Sequence, residues 1–454
     1  MIKTKTEEDY KREKQTTSDT IKQLYGEVNT PFKLVEEMLA IIPKAKFKDP
    51  NLKWLDAGTG KGNFAIMLYF KLMEGLHGII INLEERKNHI IKNMIYMFEI
   101  QDVNRKRLRE IFGQEANIYG DFLSKTPIPL MDIVIGNPPF NVNGKIKSPT
   151  CEQEKKNDGI TVWTEFVVKA INILKNDTGI LCFFIPSIWL KPDKKGIYDL
   201  LFQYKIEWLN CFNNTETNKI FGGNAQTPSC YFLLTKKETN GFLTIKDREK
   251  YVFYKVIKDK PIPIFGQEIC KKFQKRNENC IEVIKTNMPP TAVNISAILS
   301  PHVNYPNVTT CKLNGTDPEL VINYSNKKLK YAGIPKLILA HKMYGFPYLD
   351  REGKYGISNR DNYIIIKDKE EDLIKLQKFL STKTALYLFE CTRYRMKYLE
   401  KYAFELIPDI TKLKNFPLDI NDETIAEYFE LDENDIECIN DLTKKDYKFF
   451  CIQS

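Results

Sequence analysis

Over the first 245 residues, short and nearly unbroken apolar runs alternate with stretches whose apolar positions recur every third or fourth residue. Such runs predict buried strands, and the spaced stretches predict amphipathic helices. LKWLDAGTGKGNFAIMLYFKLM (52–73) reads as strand, glycine turn and helix. MIYMFEI (94–100) is an apolar run that ends in an acid and precedes the basic helix NRKRLREIF. ANIYGDFL (116–123) and MDIVIG (131–136) predict two further strands. WTEFVVKAINILKND (163–177) predicts a helix, and GILCFFIP, KIEWLNCF and PSCYFLLTK predict three more strands. Upstream, GEVNTPFKLVEEML (26–39) predicts a helix with Thr30 as its N-cap and Pro31 at its first position. Residues 1–25 read as a polar lead-in, 76–94 as an extra helix, and 141–160 as a polar, mobile loop.

Strands that alternate with helices and are apolar throughout imply a doubly wound, Rossmann-like α/β sheet. Past residue 245 the rhythm changes to mixed helical and β-like pieces with proline-rich joints at 261–265, 287–291 and 302–308. Three segments are therefore expected: a lead-in over 1–25, an α/β domain over 26–245, and a mixed α/β domain over 246–454. In doubly wound sheets ligands sit beyond the carboxyl ends of the strands. Asp56, Glu99, Asp121 and Asn137 each lie at or just past such an end.

Composition narrows the class more than it names it. Hydrophobic residues make up 43% and charged residues 28%, as in globular proteins. No apolar run reaches the length of a membrane span, and the charged N-terminus has no signal-peptide core. Ten cysteines lie singly, with no C-x-x-C pair, among only four histidines. No metal site or disulfide scaffold is expected, and an intracellular, reducing compartment is. The net charge of +9 suits a polyanionic partner but equally suits ordinary solubility.

Two motifs carry chemistry. In Asp56-Ala-Gly-Thr-Gly-Lys-Gly-Asn-Phe64, Gly58, Gly60 and Gly62 let the backbone approach a ligand at a helix N-terminus. The spacing is neither a P-loop nor a dinucleotide fingerprint. An acid two residues ahead suits a ligand with a cationic end, such as S-adenosylmethionine. Glu99 stands where a ribose-binding carboxylate is expected. Asp121 could accept from an adenine amino group, with Phe122 against the ring. The second motif is Asn137-Pro138-Pro139-Phe140. An exocyclic amine is a poor nucleophile because its lone pair is delocalised into the ring. Two acceptors, the Asn137 side-chain oxygen and the Pro138 carbonyl, would draw that nitrogen toward tetrahedral geometry. The prolines fix φ, and Phe140 offers a face for a base.

These residues, in this order, resemble the gamma class of N6-adenine DNA methyltransferases over residues 26–235. The resemblance implies transfer of a methyl group from S-adenosylmethionine to adenine N6 in double-stranded DNA, in a restriction-modification setting. Base flipping follows, since a paired base cannot reach such a pocket. It further implies cofactor contacts from Gly26, Thr30, Pro31, Asp56, Gly58, Gly60, Glu99, Asp121, Phe122 and Asn137. Phe221 aligns with an aromatic that stacks the flipped base alongside Phe140. The segment 246–454 would be the target-recognition domain of a monomer. Within it, YLFECTRYRMKYLEKY (387–402) interleaves Arg393, Arg395 and Lys397 with tyrosines, as a DNA-gripping surface would. NMPP at 287–290 reads as a loop. Two alternatives stay open: a protein-glutamine or ribosomal-RNA methyltransferase with the same clamp, and a non-catalytic DNA-binding relative. No fused nuclease is expected.

Overall fold

A computed structural model describes residues 5–13, 17–143, 159–193, 195–275, 279–314, 317–341, 347–395 and 399–442. The chain divides into two units, Met1–Lys258 and Asp259–Ser454.

In the first unit the apolar runs become β1 (Trp54–Asp56), β2 (Ile95–Phe98), β3 (Asn117–Tyr119) and β4 (Ile133–Gly136). A small pair follows, β5 (Asn141–Val142) with β6 (Ile160–Thr161). Then come β7 (Ile180–Pro186), β8 (Tyr204–Phe212), β9 (Ser229–Glu238), β10 (Phe242–Asp247) and β11 (Lys250–Lys255). All but β5 and β6 form one sheet in the order β11-β10-β8-β9-β7-β4-β1-β2-β3. Strands β3, β2, β1, β4 and β7 are parallel, whereas β9 runs antiparallel between β7 and β8.

The helices are α1 (Glu7–Arg12), α2 (Asp19–Tyr25), α3 (Phe32–Ala40), α4 (Asn63–Gly75), α5 (Leu83–His89), α6 (Asp102–Phe112), α7 (Trp163–Ile173), α8 (Ile197–Phe202) and α9 (Asn214–Ile220). Leu34, Val35, Met38 and Leu39 of α3 share a core with Phe64, Ile66 and Leu68 of α4. That core also contains Trp54, Ile133, Ile135, Cys182 and Phe184 from one face of the sheet. Leu55 and Val134, which alternate with those positions, are fully buried too. Burial on both faces is why these strands read as unbroken apolar runs.

The expected boundary at 245/246 is corrected to 258/259. β10 pairs parallel with β8, and β11 pairs with β10, so this hairpin extends the first sheet. The hairpin alternates buried Leu243, Ile245, Val252 and Tyr254 with exposed Tyr251 and Phe253, a half-solvated pattern unlike the central strands. Thr30 is not a helix cap: α3 starts at Phe32, Pro31 occupies the cap position, and no side chain caps it.

The second unit holds two four-stranded sheets among its described residues. One is built from 284–285, 362–365, 336–340 and 347–350, and the other from 295–296, 317–325, 305–314 and 356–357. Helices over 267–275, 370–380, 383–391, 422–428 and 433–442 cover a core that includes Phe273, Leu376, Phe379, Tyr387 and Phe404. Lys336 is wholly buried, with its ammonium 2.6 Å from Asp350 and donating to the Tyr331, Ile334 and Tyr355 carbonyls. The NMPP segment is irregular chain, as expected.

Candidate active site

The strand order reverses between β1 and β4: chain progression runs outward from β1 through β2 to β3, and returns on β1's other side as β4. Such a switch point opens a crevice at the carboxyl ends of the two strands. Asp56 ends β1, and Gly136-Asn137 leaves β4 beside it. The approach is close. A Cβ on Gly136 would stand 3.3 Å from Asp56 Oδ1, and the Gly136 φ of +144° is one that side chains avoid. A Cβ on Gly58 would lie 3.8 Å from the Asn137 carbonyl oxygen, Pro138 Cα and Pro139 Cδ. The glycine turn and the NPPF segment thus form one wall.

The glycine turn is anchored to the neighbouring strand. Thr59 N–H donates to the Phe98 carbonyl at 2.9 Å, and Gly60 N–H donates to Glu99 Oε2 at 2.7 Å. The other Glu99 oxygen accepts from Gln101 N–H at 2.7 Å. Glu27 accepts from Gln101, Asn104 and Thr17, which ties the lead-in to the end of β2.

Two carboxyl groups here titrate near neutrality. Burial pushes Asp56 up to about 7, and the charge of Glu99 adds to it, against the Gly58 N–H that favours the carboxylate. Burial likewise pushes Glu99 up to about 7, helped by Glu27 and opposed by its N–H donors. Asp56 Oδ2 is buried without a hydrogen-bond partner among the described residues. An orphaned carboxylate oxygen of that kind favours a cationic or hydrogen-bond-donating ligand.

In the second motif, Asn137 Nδ2 donates to Thr30 Oγ1 at 3.0 Å. Among the described residues nothing donates to Asn137 Oδ1 or to the Pro138 carbonyl. The segment's exit is pinned. Val162 N–H donates to the Phe140 carbonyl at 3.2 Å, and Asn141 pairs with Thr161. Gly26, at φ +66°, packs so closely that a Cβ there would meet the Asn141 carbonyl oxygen at 2.3 Å and Pro139 Cβ at 3.2 Å. Gly26 therefore supports the NPPF segment directly.

Phe140 is partly buried, its ring nearly parallel to that of Phe184 at 6.3 Å between centroids. Phe221, expected to stack a base, is only 4% exposed and packs on the same Phe184 at 5.4 Å. It is a core residue. Phe122 is also core: it lies edge-on to Phe98, against Phe166, with the Lys169 ammonium 5.0 Å from its ring centre. Asp121 is exposed, and its carboxylate accepts from Leu123 N–H at 2.9 Å.

In the second unit the expected DNA-gripping stretch takes a different form. The helix ends at Cys391, and Tyr387 and Tyr394 are core side chains, with the Tyr394 hydroxyl donating to the Ile262 carbonyl at 2.7 Å. Arg393 is held by both Glu390 oxygens at 2.9 and 3.0 Å, and Arg395 lies 3.4 Å from Glu400. Their charges are spent internally, which removes them as phosphate contacts. Lys397, like residues 144–158 of the loop after NPPF, lies outside the described residues.

The partners that motif reading missed are Asn63, Glu27 and Lys169. Asn63 Nδ2 donates to the Thr30 carbonyl at 2.8 Å, from the first position of α4. No local pattern marks these three, since each acts on a residue far away in sequence.

Comparison with known proteins fits this geometry. Residues 79–221 match the family model described as Eco57I restriction-modification methylase. That segment contains Glu99 and the NPPF motif and begins after the glycine turn. The methylase resemblance expected from the motifs is thereby met. No curated protein matches the chain. Among solved structures, the methyltransferase subunit of a type I restriction-modification system from Streptococcus thermophilus is 15% identical, with a TM-score of 0.35 over 48% of this chain and 47% of that one. The M protein of the type I restriction enzyme EcoKI is 16% identical, with a TM-score of 0.36 over 57% and 56%. The chain spans about half the length of each. No helix among the described residues is long and apolar enough to cross a membrane.

Proposed function

We propose that this chain, which carries a restriction-modification methylase segment, transfers a methyl group from S-adenosylmethionine to N6 of adenine in double-stranded DNA. The observation that supports it best is the switch-point wall, where the glycine turn with its two near-neutral acids abuts the unsatisfied acceptors of Asn137 and Pro138. The residues present fit the cofactor. Asp56 would face its cationic end through the orphaned Oδ2, and Glu99 would accept from its ribose hydroxyls, while Gly58 and Gly60 leave room for it. When bound, the cofactor supplies an electrophilic methyl group.

The chain's own part is positioning. Asn137 Oδ1 and the Pro138 carbonyl accept the two N–H bonds of the target amine and localise its lone pair. The two prolines keep those oxygens from relaxing. Phe140 gives the base an apolar face, worth about 1–3 kcal/mol per stacked base. Asparagine suffices without a strong general base, because the amine becomes acidic once methylated. Reaching this recessed wall requires the adenine to leave the helix. The unit from Asp259 onward would supply target recognition, and the protein would act as a monomer in an intracellular, reducing compartment.

The test is incubation with methyl-labelled cofactor and varied duplexes, followed by nucleoside analysis. N6-methyladenine is expected. Label appearing only in cytosine, RNA or protein would overturn the reading.

A further inference from the structure

We infer that Thr30 is a positioning residue that sets which way round the Asn137 amide faces, rather than a contact to the cofactor. This deepens the proposed function and rests on it. An asparagine amide has two ends of similar shape and opposite hydrogen-bonding character. With Oδ1 toward the target, the amide accepts an amine N–H. Turned over, it presents NH2 to NH2 and repels the nucleophile it should activate. The orientation is therefore a condition of catalysis, and something must impose it.

Thr30 Oγ1 does so, accepting from Asn137 Nδ2 at 3.0 Å and leaving Oδ1 as the outward end. Thr30 itself is 6% exposed, too enclosed for its hydroxyl to be exchanging with solvent. Its backbone is fixed in turn by Asn63, whose side chain donates to the Thr30 carbonyl at 2.8 Å. Asn63 is also buried, and it opens α4 directly after Gly62 of the glycine turn. The cofactor turn, α4, the segment before α3 and the NPPF motif are thus joined in sequence by two side-chain hydrogen bonds. The arrangement also explains why Thr30 does not cap α3.

The test compares Thr30→Val, nearly the same shape without the hydroxyl, with Thr30→Ser, which keeps it. In single-turnover methylation of a duplex substrate, Thr30→Val should lower the rate about threefold to tenfold, the population shift that one net hydrogen bond commands. Calorimetric affinity for S-adenosylhomocysteine should stay within about twofold of wild type, and Thr30→Ser should recover most of the rate. Weakened S-adenosylhomocysteine binding with an unchanged rate would overturn the inference in favour of a cofactor contact. No change in either would overturn it as well.

If the wild-type chain methylates no DNA at all, the functional reading fails separately. The orienting contact is then judged by a double-mutant cycle of Thr30→Val and Asn137→Ala in urea unfolding. Coupling of about threefold to tenfold in the unfolding constant is expected, and strict additivity would overturn the contact.

Discussion

Replacing Asp56 with asparagine should flatten much of the pH dependence of stability of the first unit. In the folded chain the Asp56 carboxyl keeps its proton up to about 7, against an ordinary value of 3.8, because it is buried at the end of β1 with one orphaned oxygen. Between those two pH values the folded state holds a proton that the unfolded state has released. Its stabilising contribution is therefore fully present below about pH 4 and is lost as pH rises to about 7, at up to about 1.4 kcal/mol per pH unit. Over the whole window that amounts to about 4 kcal/mol for Asp56 alone. Glu99, also raised to about 7 from 4.5, adds a second slope of the same sign.

Asp56→Asn removes one of the two, so the decline between pH 4.5 and 7.5 should fall by roughly half. Any packing cost of the new amide shifts the curve without tilting it. Urea unfolding without cofactor, followed by tryptophan fluorescence, measures this selectively. All four tryptophans, at 54, 163, 189 and 208, lie in the first unit. A variant whose midpoint falls with pH as steeply as wild type would refute the assignment of a retained proton to Asp56.

Asn137→Ala should lower methyl transfer on the order of 100-fold or more, as the loss of one preorganised polar contact does, while calorimetric cofactor affinity holds. A variant that still methylates at the wild-type rate would remove the clamp from the mechanism. Gly26→Ala places a Cβ 2.3 Å from the Asn141 carbonyl oxygen at a φ of +66°; thermal melting should show a loss of about 1–3 kcal/mol. Phe221→Ala should cost about 3–5 kcal/mol in urea unfolding, because the ring is core; unchanged stability would return it to the role of a base-stacking side chain. In the second unit, Lys336→Ala leaves Asp350 buried without its ammonium and should destabilise by about 3–5 kcal/mol by chemical denaturation.

The centre of the fold was legible because β1, β2, β4 and β7 are buried on both faces and read as unbroken apolar runs. The polar residue ending such a run could be placed without knowing its neighbours. Asp56, Glu99 and Asn137 were found this way. The hairpin of β10 and β11 was assigned to the wrong unit because half-solvated strands on a sheet margin resemble those of a different domain. Phe122 and Phe221 were misjudged for another reason: an aromatic that packs a core and one that meets a ligand look the same in sequence. Arg393 and Arg395 carry the same lesson, since only the fold shows that Glu390 and Glu400 already occupy them. Thr30 was assigned a local duty as a cap, whereas its partner lies 107 residues away.

Asp56 and Asn137 leave adjacent parallel strands, and adjacent strands keep a fixed separation of about 4.8 Å whatever their side chains. The backbone lattice therefore acts as a ruler between the groups that hold the donor and those that hold the acceptor. Side-chain length does not set that interval, and a substitution on the surface or in a recognition element does not stretch it. Sequence preference could then drift freely through evolution while the chemistry stayed calibrated, because the measuring device is the one part of the molecule that mutation cannot shorten.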